Sequence, residues 1–132
     1  MVKFLDGPAA GVALMLRRAP VFLRVVLSAH RTWDALDQPE DLPTRSETVF
    51  VYVLTDRPTA VHIKMARRSQ SGFYAQAVYQ HVRAHVPPAS VRDAESWREW
   101  VESNTARLAP KWYLDWQAER ARAAGGCPGE TP

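Results

Sequence analysis

The chain has 132 residues, 46% apolar and 23% charged, with a formal net charge of +3; these are the proportions of one soluble globular domain, long enough to bury a core without staples. Its single cysteine, Cys127, excludes a disulfide framework and a cysteine-based zinc site. The longest apolar runs, Val12–Leu16 and Val21–Leu27, are too short to span a bilayer, and Asp6 and Pro8 break the stretch where a secretory leader needs its apolar region, so the expected setting is cytoplasmic, with no membrane and no disulfide-linked partner.

Charge is unevenly placed. Of the 17 basic residues, 14 are Arg, and residues 1–92 carry +5 against −2 for residues 93–132. The planar fork of Arg suits phosphate and carboxylate recognition, although a coding bias toward Arg accounts for the same composition.

In chain order, Phe4-Leu5 precedes a turn signal at Asp6-Gly7-Pro8. Val12–Arg17 and Val21–Ser28 read as strands, and Pro20 between them predicts a break, most simply a hairpin. In the second run Val21, Leu23, Val25 and Leu27 form an apolar face, which places Arg24 on the wet one. Ala29–Ser46 reads as polar and irregular, anchored by Trp33 and Leu36. Its carboxylates, Asp34, Asp37, Glu40, Asp41 and Glu47, lack the calcium-loop pattern and read as a solvated acidic loop.

Thr48–Leu54 is the clearest element. It is almost wholly β-branched or aromatic, with Val49, Val51 and Val53 on one side and Phe50, Tyr52 and Leu54 on the other. A strand apolar on both faces belongs in the middle of a sheet with something packed over each side. Asp56–Thr59 then turns, and Val61–Met65 reads as another strand. Arg67-Arg68-Ser69-Gln70-Ser71-Gly72 is a basic loop of hairpin type. Phe73–Val86 fits a helical stripe or a strand face, with the strand preferred, and Pro87-Pro88 ends it.

Ser90 opens a capping-box-like start with Asp93 at the third helical position. Ala94, Trp97, Val101 and Leu108, with Trp100 beside them, make an apolar stripe. Pro110 suits the first turn of a second helix bearing Trp112, Tyr113 and Trp116 on adjacent positions. The expected fold is therefore α+β: a small antiparallel sheet of four to six strands, able to roll into a barrel, followed by two C-terminal helices. A single domain covers 1–124, β-rich over 1–86 and helical over 90–124, and 125–132 reads as a disordered tail.

No catalytic template is present: there is no nucleophile elbow, no Walker loop, no dinucleotide fingerprint and no zincin motif. His81 and His85 stand four apart but have no acidic third ligand nearby, so no metal, cofactor or catalytic residue is expected. Two binding readings remain. In the first, Arg67 and Arg68 contact phosphates while Phe73 and Tyr74 stack on bases, the combination by which small sheets hold single-stranded nucleic acid. In the second, Trp97, Trp100, Trp112 and Trp116, which as aromatics on amphipathic helices read first as core, are a large payload for two short helices, and whatever the sheet does not cover is a protein-partner surface.

Overall fold

The computed structural model describes residues 1–125; of the predicted tail, Gly125 ends the second helix, and the rest, Cys127 included, lies outside the described residues. In chain order the strands are β1 (Val2–Phe4), β2 (Ala13–Leu14), β3 (Phe22–Leu27), β4 (Trp33–Leu36), β5 (Thr48–Leu54), β6 (Thr59–Ile63) and β7 (Gly72–His81), followed by helices α1 (Ala94–Leu108) and α2 (Lys111–Gly125). All seven strands join one curved, barrel-like sheet in the order β2-β1-β7-β5-β3-β4, with β6 attached to β7. The pairing is antiparallel except between β1 and β7, which run parallel. The β-rich half and two C-terminal helices are as expected, with one strand more than the upper estimate.

β5 is central, as its two apolar faces require. It pairs with β3 through six residues, from Leu27↔Thr48 to Phe22↔Val53, and with β7 from Tyr52↔His81 to Leu54↔Tyr79. Its Tyr52 and Leu54 join Val2, Phe4, Leu23, Val25, Ala77 and Tyr79 in the core inside the curved sheet. Its Val51 joins Phe22, Val82 and Val91 in a second core, which Trp97 and Trp100 of α1 close. The Trp rings stack at 5.4 Å with their planes 7° apart, and Phe22 meets Trp100 edge-on at 5.2 Å.

Four local expectations are corrected. The runs at 12–17 and 21–28 are not a hairpin: β2 pairs with β1, whereas β3 pairs with β4 and β5. Pro20 has no N–H to give to a ladder, and its carbonyl accepts from the buried Tyr79 hydroxyl. Arg24 does not face water; it is 0% exposed. Its guanidinium donates to the carbonyls of Val91, Gln38, Pro39 and Asp41 and lies 5.0 Å from the Trp97 ring. The acidic segment after Ala29 is not wholly irregular, because Trp33–Leu36 adds to the edge of β3. Helix α1 starts later than predicted: Asp93 is itself the cap, accepting from the Ser96 amide at 2.9 Å. That bond holds the Asp93 carboxyl below its ordinary range.

The ambiguous stretch after Gly72 is a strand as far as His81. Register decides what periodicity could not, since β7 is held on both sides at once. Ala75 accepts on one edge from the Met1 amino group and donates to Leu16, while residues 72–76 pair with β6 on the other.

Candidate nucleic-acid interface

β6 and β7 form a two-stranded ribbon beyond the main sheet, with register Thr59↔Gln76 to Ile63↔Gly72. Every residue of β6 except Ile63 is exposed. At the tip, Ser71 closes the loop by accepting from the Met65 amide at 2.7 Å and donating back to the Met65 carbonyl. Arg68–Gln70 makes a single 3-10 turn inside that loop. Arg67, Arg68 and Lys64 are exposed on it and make no ion pair among the described residues. From Arg57 to Arg92 the chain contains Arg57, Lys64, Arg67, Arg68, Arg83 and Arg92 and no acidic residue at all.

Phe73 is 63% exposed, a large apolar ring left in water. It faces its cross-strand partner His62 edge-on at 5.1 Å. Tyr74 is placed differently, being only 8% exposed. Neighbours on a strand point to opposite faces, so the two rings cannot share a platform. Arg17 lies over the Tyr74 ring at 4.1 Å and donates to the carbonyls of Gln70 and Phe73. Gly72 permits this approach: at φ 140 it has no side chain, and a Cβ there would stand 2.6 Å from the Arg17 guanidinium. The ring that sequence reasoning cast as a stacking surface is thus the seat of a further arginine. Arg17 lies 57 residues from Tyr74 in the chain, and no local pattern announces the contact.

The four tryptophans divide by helix. Trp97 and Trp100 of α1 are 4% and 7% exposed, and as folded they are core. Trp112 and Trp116 of α2 are half-buried. The Trp112 indole donates to the Thr55 carbonyl at 2.7 Å, and Tyr113 lies between the two rings, 5.8 Å from one and 5.5 Å from the other.

Thr55 belongs to a bulge. Leu54 pairs with Tyr79 and Thr59 with Gln76, so the four residues 55–58 oppose only Ala77 and Val78. The bulge re-aims the chain, and Arg57 comes to stand 5.5 Å from the Trp112 ring centroid. Arg57 also borders a groove on the outer sheet face with Lys3, Thr59, Gln76 and Val78.

Among the described residues, no three His, Cys, Asp or Glu side chains converge as a metal would need, and no helix is long and apolar enough to cross a membrane. No family model, curated protein or solved structure matches this chain.

Proposed function

We propose that this chain is a non-catalytic, cytoplasmic module that binds single-stranded nucleic acid through the β6–β7 ribbon. One observation carries the reading: the exposed Phe73 ring stands on the same ribbon as Arg67, Arg68 and Lys64, none of them paired with an acid among the described residues. Cations that track phosphates beside a ring that can stack on a base are the two components of sequence-tolerant single-strand binding. Arg17, held over Tyr74, adds a further positive charge next to the loop. The protein-partner reading has less support, because burial of Trp97 and Trp100 removes half of its proposed contacts.

Fluorescence anisotropy with a labelled single-stranded oligonucleotide at several salt concentrations tests the proposal. Log affinity should fall with log salt by about 0.7 per phosphate neutralised. Replacing Arg67 and Arg68 together by Ala should flatten that slope by about one to two units. Phe73→Ala should weaken binding by about 1–3 kcal/mol and leave the slope nearly intact, because a ring releases no counterions. If the double variant keeps the wild-type slope, the ribbon is a solvated turn and the proposal fails.

A further inference from the structure

The groove between the β5–β6 bulge and α2 has no part in the ribbon's chemistry. It measures about 250 Å³, is open on one side, and is lined by Leu54 and Pro58, by the rings of Trp112, Tyr113 and Trp116, and by Arg57. Its floor and walls are apolar or aromatic, and its one charged lining residue is Arg57. Arg57 is exposed and makes no ion pair among the described residues. The walls are held in place: the Trp112 indole is tied to Thr55, and Thr55 is tied in turn to the Val78 carbonyl through both its amide and its hydroxyl. A groove of this size, below the roughly 300–1,000 Å³ of drug-sized pockets, takes up one ring system and leaves the rest of a ligand outside it, at the exposed Arg57.

We infer that this groove binds a nucleotide, its base against Trp112 and Trp116 and its phosphate on Arg57. Charge complementarity selects that occupant. A neutral ring would make no use of the Arg57 charge, and a bare phosphate would make no use of the aromatic lining, whose rings otherwise meet only one another and the guanidiniums of Arg57 and Arg120. A flat ring and an anion one sugar apart satisfy both, through stacking and a charge-assisted bond to a guanidinium. The inference does not rest on the ribbon. Arg57 precedes β6 and the Arg67-Arg68 loop follows it, so the two sites lie at opposite ends of one strand.

Calorimetric titration of the whole protein with adenosine monophosphate tests this, with adenosine, inorganic phosphate and benzoate as separate arms. Saturable binding of the monophosphate is expected, with adenosine at least tenfold weaker and phosphate alone not saturating. Arg57→Ala should reduce monophosphate affinity at least tenfold, down to the level of adenosine, while an unchanged melting temperature shows the fold intact. Trp116→Ala should abolish binding of both, and the double variant Arg67→Ala, Arg68→Ala should bind the monophosphate as wild type does. That variant separates the two readings: loss of monophosphate binding in it would move the nucleotide to the ribbon and overturn the groove assignment. Absence of saturation in the wild type would overturn it too, as would indifference to Arg57→Ala. Benzoate binding as tightly as the monophosphate would assign the groove to ring acids in general and remove the nucleotide.

Discussion

Arg24 carries a charge into the interior with main-chain carbonyls, rather than a carboxylate, arranged around its guanidinium. Burial pushes it below its ordinary pKa, with Asp41 opposing, and its Nε has no partner among the described residues. Its hydrogen bonds tie the loop at Gln38–Asp41 to the turn before α1, so removing the side chain unpairs both. Arg24→Ala should cost at least roughly 1.5–3 kcal/mol, the value of one buried bond from a charged donor. Arg24→Lys should not restore it, because an ammonium cannot fork to both sides. A lysine variant that melts like the wild type would show that the bridge is dispensable. Two carboxyls make opposite predictions with pH. Burial, joined by the neighbouring Asp41, raises Asp37 above its ordinary value. The folded state therefore binds that proton more tightly than the unfolded one, and stability falls as pH rises through the unfolded and then the folded pKa. Asp37→Asn should raise the melting temperature at neutral pH, and the gain should vanish once pH drops below about 3.9. Asp93, lowered by its bonds from Ser96, behaves in the reverse sense. Its stabilisation is complete above the unfolded pKa and disappears as pH falls through the folded one, so Asp93→Ala should be penalised at neutral pH and not in acid.

At the level of the element, two-sided burial is what makes β5 recognisable, and Val51→Asp tests it. Val51 is 5% exposed against the second core and stands directly opposite Arg24, whose guanidinium is committed to main-chain carbonyls; a carboxylate there either stays unpaired or pulls Arg24 off those carbonyls, so that variant should melt well below the wild type. A normal melt would mean that α1 does not cover this face. The same physics explains what was legible and what was not. β5, both helices and the Gly72 hairpin announce themselves through side-chain pattern, turn residues and caps within a few positions. β3 is legible as a strand but not in its orientation to water: the alternation rule sends a charge outward, and Arg24 escapes it only through carbonyls as far off as Val91. β1, with three residues, and β4, with four, carry too little pattern to be seen. The parallel β1–β7 pairing joins Val2 to Ala77, a contact for which no local signal exists. At the candidate interface, Arg67, Arg68 and Phe73 are exposed as a hairpin tip should be. The distant contacts, Arg17 on Tyr74 and Arg57 on Trp112, depend on register and on a bulge, and only the folded chain brings them together.

At the scale of the whole molecule, the helices cover only part of the outer sheet surface. α1 packs against β3 and β5, while the outer face around β1, β6 and β7 is left with Lys3, Thr59 and Gln76 exposed. Stability must follow that asymmetry, because local opening is easiest where few apolar contacts resist it. β6 is bonded to one neighbour, β7, and buries none of its residues, whereas β3 and β5 are each paired on both sides. Amide hydrogen exchange in the free protein should therefore be fast across Thr59–Ile63 and slowest at Leu23, Val25 and Tyr52, which exchange only through global unfolding. Adding a single-stranded oligonucleotide at low salt should slow exchange in β6 and the Arg67–Ser71 loop, while β4, at the far edge of the sheet, stays unchanged. Raising the salt should return the ribbon to its free rate, since the contacts that hold it are phosphate contacts. Protection spread evenly over the protein would mean general charge-driven adsorption of a chain of net charge +3, and protection confined to β4 would place the binding surface on the wrong edge; either pattern would end the ribbon proposal.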